Sequence, residues 1–191
     1  MPTMLATPTH IFLSASSSMV DLLLEPTCAP DLSGLTHLRC AESTNERLNV
    51  LLGRIGATPT HLHVTGYDRM LDDLNPTLLP ALTQIDVFIT APPFNRFLAC
   101  LPTESRIATI NVIPTSLAID KDFESVLLRR PMPVLKSVNV QVLGEPPEFE
   151  AWLPSPPWAE TIRSFELELP RLHESGLLSV KFVPFQGAVF W

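Results

Sequence analysis

No lysine or arginine occurs before Arg39. A secretory leader needs a basic n-region and a mitochondrial presequence needs arginines, so neither is expected at the N-terminus. No apolar run reaches about 18 residues, so neither a membrane span nor a membrane partner is expected. Charge is scarce: 17% of residues are Asp, Glu, Lys or Arg, against roughly 25% in an average soluble domain. What charge there is sums to −7, which repels phosphate backbones and argues against a nucleic-acid partner. Cys28, Cys40 and Cys100 are odd in number and widely spaced. They point to reduced thiols in the cytoplasm or nucleus rather than a disulfide framework. Glycine is also rare, and the seven present never form G-x-G-x-x-G or a Walker loop. No G-x-S-x-G elbow or H-E-x-x-H helix is found either, so the common nucleotide, hydrolase and metalloprotease signatures are missing.

Proline, by contrast, is abundant. The 20 prolines flank short apolar runs, as at Pro80, Pro114, Pro133 and Pro170, where they punctuate elements whose interiors would not tolerate them. The segment Ala6-Thr7-Pro8-Thr9-His10 recurs as Ala57-Thr58-Pro59-Thr60-His61, an offset of 51 residues. That offset suggests two units of about 25 residues. At that period a motif returns: an anchor, two variable residues, an apolar residue, a variable residue, an apolar residue. It reads Leu35-Thr36-His37-Leu38-Arg39-Cys40, then Leu82 to Val87, Ile107 to Val112, Leu135 to Val140, Ile162 to Leu167 and Leu177 to Phe182. Pro8 and Pro59 hold the anchor place in the two copies quoted first. Anchors at 8, 35, 59, 82, 107, 135, 162 and 177 are separated by 27, 24, 23, 25, 28, 27 and 15 residues. Each motif reads as a strand.

Between the strands the spacing turns helical. Ser43 and Glu46 suit a capping box, Leu48, Leu51, Leu52 and Ile55 follow at i, i+3, i+4 and i+7, and Gly56 can end that helix. Phe94, Phe97, Leu98 and Leu101 repeat the spacing, and Asp120 can cap a helix carrying Phe123, Val126 and Leu127. Leu71, Leu74 and Leu78 cross Pro76, so a broken helix is expected there. Five prolines between Pro146 and Pro157 predict turns around Trp152. Alternating strands and helices fit either a repeat solenoid or a doubly wound α/β sheet. A doubly wound sheet buries both faces of its strands. Here polar residues alternate through each one, so one wet face is expected. The reading is therefore an α/β leucine-rich-repeat solenoid of about seven irregular repeats, a single domain over 1–191, with a parallel sheet on the concave side and short helices on the convex side. Residues 170–191 form an atypical end: with only seven residues after Leu169, Leu177 to Val183 is expected to pair antiparallel with Ile162 to Leu169 or to leave the sheet. The apolar tail through Phe185, Phe190 and Trp191 is expected to cap the core or meet a second copy.

Leu35 to Cys40, Leu79 to Ile85 and Pro133 to Val138 together resemble the irregular leucine-rich repeats of fungal F-box-type proteins. In that family an F-box docks on the Skp1-type adaptor of a cullin ubiquitin ligase, and the repeats hold the substrate. The resemblance implies a substrate receptor. It implies the Skp1-type adaptor as a partner only if an F-box lies upstream of Met1, since the first strand begins within about ten residues of it. Where the family often closes the strand turn with asparagine, Ser16, Ser43, Thr90, Thr115, Tyr67, Leu143 and Pro170 stand instead.

The expected binding surface is the concave face. One column holds Arg39, His63, Asp86, Asn111, Asn139 and Glu166, flanked by His37, His61, Gln84, Thr109, Ser137 and Ser164. Such a ladder offers breadth without a deep pocket, which suits a protein partner. His10, His37 and His61 share a column in which neighbouring imidazoles can share an ion, but Arg39 beside them repels a cation, so no metal or cofactor is expected. Cys40 falls at an inward position, where a thiol acts as a small hydrophobe. Glu166 and Glu168 imitate a glycosidase pair but read as a solvated edge, and Arg129-Arg130 complements a helix C-terminus. Trp152, Trp158 and Trp191 read first as packing residues, with Trp158 the best surface anchor. No catalytic residue is expected. Two other readings remain open: a small α/β enzyme, hydrolase or nucleotide binder, with a cleft at the strand ends, and a truncated fragment without activity of its own.

Overall fold

The computed structural model describes residues 7–13, 17–27, 30–41, 47–65, 71–72, 74–89, 91–114, 119, 121–129, 132–144 and 158–184. The chain is an α/β protein built on a seven-stranded, all-parallel sheet: β1 His10–Leu13, β2 His37–Ala41, β3 His61–Thr65, β4 Gln84–Ile89, β5 Thr109–Pro114, β6 Ser137–Gly144 and β7 Leu178–Pro184. Strand order in space equals strand order in the chain. Among the described helices are α1 Ser17–Leu24, α2 Leu48–Ile55, α3 Ala91–Ala99, α4 Lys121–Arg129, α5 Trp158–Glu168 and α6 Pro170–Glu174, with a 3₁₀ turn at Pro76–Leu78. That turn starts at Pro76, whose missing N–H costs nothing at a first helical position, and the Asn75 side chain accepts from Thr77 N–H at 3.1 Å.

Each strand is two-sided. Leu38 and Cys40, Leu62 and Val64, Ile85 and Val87, Ile110 and Val112, and Val138 and Val140 are buried. Of the residues alternating with them, Ile113 is buried and the others described are only partly buried. Helix residues such as Leu51, Leu52, Phe94, Phe97, Phe123 and Phe165 join the inward strand residues in one core, so a single face of the sheet carries the hydrophobic load. Phe94 of α3 lies 5.9 Å from Phe123 of α4, ring centroid to centroid, within the range of favourable aromatic pairs.

The anchors have a local cause. Leu35, Leu82 and Leu135 each end a tight turn, donating an N–H to Leu32, Leu79 and Met132 carbonyls at 3.0, 3.2 and 3.1 Å. In two of these turns the second residue is a proline, Pro80 or Pro133, whose fixed φ suits that place. Just beyond, the carbonyls of Thr9, Thr36, Thr60, Thr83 and Ala108 each accept two consecutive N–H groups from the next strand; Thr36 and His37, for example, reach Thr9 O at 2.9 and 3.0 Å. Successive helical segments are tied by Arg47 to Asp21 at 2.6 Å and by a two-pronged Arg96–Asp72 pair at 2.6 Å.

The C-terminal end departs from the sequence expectation. Ile162 to Leu169 is not a strand but most of α5, with Leu169 just past its end. Its buried residues, Thr161, Phe165 and Leu169, recur every four residues, whereas alternation would have buried Leu167 with Phe165. Leu167 is instead 72% exposed. With α5 and α6 in the connection, the chain between β6 and β7 is long enough for a parallel crossover. β7 accordingly pairs parallel with β6, not antiparallel to the 162–169 segment. Its register sets Val180 opposite Val140, two residues from the place the motif assigned, which leaves side-chain parity unchanged. Gly56 does end α2, but at φ −56° rather than in a left-handed cap. Ser43, Glu46, Asp120, Arg130, Trp152 and the tail through Phe185, Phe190 and Trp191 lie outside the described residues.

Candidate functional site: a polar ladder on the open face

Because register is fixed by the buried face, the residues between the inward ones line up on the other face. The first column runs His10, His37, His61, Gln84, Thr109, Ser137. The second runs Phe12, Arg39, His63, Asp86, Asn111, Asn139, Ser179. Ten of the twelve residues expected to form a binding face therefore share it: His37, Arg39, His61, His63, Gln84, Asp86, Thr109, Asn111, Ser137 and Asn139. The other two, Ser164 and Glu166, are on α5; Glu166 Oε1 lies 3.9 Å from His173 Nδ1 and takes no part in the ladder.

The middle of the second column is a directional hydrogen-bond chain. Asn139 Nδ2 donates to Asn111 Oδ1 at 2.7 Å, and Asn111 Nδ2 donates to Asp86 Oδ1. Gln84 Nε2 donates to the same oxygen at 3.0 Å, while His63 Nδ1 stands 3.8 Å from Oδ2. Burial pushes the Asp86 carboxyl up, but the neighbouring His63 imidazole and the hydrogen bonds from Asn111 and Gln84 outweigh it and hold the group below the ordinary 3.8. Asp86 is therefore an ionised sink at which the amide chain ends. Asn139 also contacts Ser137 Oγ at 3.5 Å, which contacts Thr109 Oγ1 at 3.5 Å. On β4, β5 and β6 the two columns thus form one network.

Toward β1 the chemistry changes. The Arg39 guanidinium lies 4.8 Å over the Phe12 ring, a cation–π distance, and Phe12 is 51% exposed. Beside them the imidazoles of His10, His37 and His61 stack face to face, with centroids 4.0 and 4.3 Å apart and planes within 15°. Each ring has a threonine on its Nδ1: Thr9, Thr36 and Thr60 Oγ1 at 2.8, 2.8 and 2.9 Å. Sequence reasoning missed Phe12, Ser179 and these threonines. The thrice-repeated Thr-His pair before a strand was the available signal. Phe12 broke the polar rule of its column, and Ser179 sat under a shifted motif.

Among the described residues no group of three or more His, Cys, Asp or Glu side chains is arranged to hold a metal ion, and no helix is long and apolar enough to cross a membrane. Cys40 is on the core side of β2, its thiol pushed up to about 12 by burial, so it is no nucleophile at neutral pH. A depression lined by Ala57, Pro80, Leu101, Pro102, Glu104 and Arg106 lies on the turns leading into β4 and β5, away from the ladder. No family model matches the chain, and neither a curated protein nor a solved structure is significantly similar to it.

Proposed function

We propose that this chain is a leucine-rich-repeat solenoid that binds a protein partner across the polar ladder, with no catalysis of its own. The observation that carries the reading is the pairing of a monotonic seven-strand order with a mainly polar face, hydrogen-bonded into one network across β4–β6, opposite the core cluster. A parallel sheet that never reverses its strand order has no switch point, the usual site of a ligand crevice in an enzyme of this class. It offers a broad, preorganised array of amide, imidazole and carboxylate groups, suited to many weak polar contacts around an anchor such as Phe12. The resemblance of Leu35 to Cys40 and its sister segments to fungal F-box-type repeats makes a substrate of a ubiquitin ligase the expected partner, and the Skp1-type adaptor a second one wherever an F-box accompanies the repeats.

The test is site-specific photocrosslinking in cells. A photoreactive residue at Asn111 or Gln84 should trap one and the same protein; the same residue at Val50, 59% exposed on α2, should not. The double variant Asp86→Arg, Asn111→Arg should abolish the crosslink formed from Gln84. Equal trapping from Val50, or an undiminished crosslink in the double variant, removes the ladder as the binding face.

A further inference from the structure

We infer that the His10–His37–His61 stack is a proton-operated lock on the N-terminal third of the open face, closed when the imidazoles are neutral and loosened when they charge. Its bearing on partner binding rests on the function proposed above; the lock itself rests on the stack.

The hydrogen bonds fix which nitrogen takes the proton. Thr36 Oγ1 donates to Thr9 O at 3.2 Å and Thr60 Oγ1 donates to Thr36 O at 3.3 Å. With its one hydrogen committed there, each hydroxyl presents a lone pair to its own histidine, so Nδ1 of His37 and His61 carries the hydrogen. Nε2 is left as the basic nitrogen of the neutral ring. In that state the rings stack at van der Waals separation, and Thr36 and Thr60 tie His37 and His61 to the carbonyls of Thr9 and Thr36. Protonation at Nε2 leaves the threonine bond in place but sets like charges about 4 Å apart, a separation at which repulsion inside a partly desolvated surface is large.

His37 bears the greatest load, since it has a ring on each face. The ionisable groups around it are His10 on β1, His61 and the diagonal His63 on β3, Asp86 on β4, and Arg39 two residues along its own strand. Burial first, then the charges of His61 and His10, lower its affinity for a proton, and Asp86 offsets this only in part. A histidine held below its ordinary 6.5 binds fewer protons folded than unfolded. The stability His37 contributes is thus complete above about 6.5 and lost as pH falls through its folded value. The loss is confined to β1–β3, because β4, β5 and β6 carry Gln84, Thr109 and Ser137 in the same column.

The experiment uses the free chain, so it succeeds or fails independently of any partner. Histidine ring resonances are followed by NMR from pH 8 to pH 4.5 in the natural chain and in the His10→Gln, His61→Gln variant; Gln84 already fills this column on β4. The midpoint of His37 should lie below 6.5 in the natural chain and rise in the variant. In parallel, amide exchange corrected for intrinsic rate should show β1–β3 losing protection on acidification while β5 and β6 retain theirs, about tenfold for each unit by which the midpoint is depressed. An unchanged His37 midpoint in the variant, or equal loss of protection across all strands, overturns the lock. The exchange comparison needs no variant, so it stands even if the double substitution unfolds the chain.

Discussion

Glu124 of α4 accepts, through Oε1, the backbone N–H of Leu172 in α6 at 2.8 Å, across 48 residues of sequence. Leu172 lies in the first turn of α6, whose N–H groups have no partner within the helix. Leu169, at the cap position, supplies no side-chain bond. A neighbouring helix thus caps this one. Glu168 of α5 returns the favour by accepting from Ile119 N–H at 3.2 Å, so the final crossover is pinned from both sides.

Glu124→Ala should therefore destabilise the chain by about 1–3 kcal/mol, the cost of leaving a buried donor unmatched. Glu124→Gln, which keeps an acceptor oxygen, should lose less. Urea unfolding of the three proteins checks this ranking.

Gly56→Ala should also destabilise, although alanine is normally the better helix former. An added Cβ would come within 2.2 Å of Leu78 O and 2.5 Å of Leu52 O, both backbone atoms that a rotamer change cannot move. Overpacking of this kind costs about 1–3 kcal/mol. Gly53→Ala, where nothing lies within 4 Å, should be neutral or stabilising. A thermal melt comparing the two variants separates close approach from backbone entropy.

Asp86 predicts an acid limb. Its carboxyl is held below 3.8 in the fold, so the unfolded chain binds the proton first. The stability Asp86 contributes is present above about 3.8 and lost as pH falls through the folded value. Between pH 5 and pH 3 the natural chain should lose more stability than Asp86→Asn, measured by denaturant titration at each pH. Parallel slopes would mean the amide chain does not end on an ionised carboxylate.

The thiols should differ sharply. Cys100 is exposed and Cys40 is buried with its thiol raised to about 12. Iodoacetamide at pH 8 should alkylate Cys100 in the folded chain and Cys40 only after denaturant is added, as read by peptide mass spectrometry.

Much of the sheet was legible because its spacing has a local cause. The motif reproduces the pairing of the first six strands, from His10 opposite His37 to Thr109 opposite Ser137, since tight turns set the anchors and alternation sets the faces. It failed at Ile162 to Leu167, a segment that satisfies both the motif and a helical period. Only tertiary packing, which buries Phe165 and exposes Leu167, chooses between them. Six residues of apolar pattern are too few to tell the two periods apart. In the polar ladder, column membership followed from parity, but ring stacking, the direction of the amide chain and the Phe12–Arg39 contact depend on rotamers that spacing does not encode.

A carbonyl that serves only the strand after it has a consequence for synthesis. Each of the last six strands finds its partner already made when it leaves the ribosome, because the strand beside it is always the one translated before. No strand must wait for a pairing partner that lies beyond the next strand in sequence. The sheet can lengthen in step with translation, one edge at a time, with only the outer edge of β1 and that of the newest strand open to mispairing.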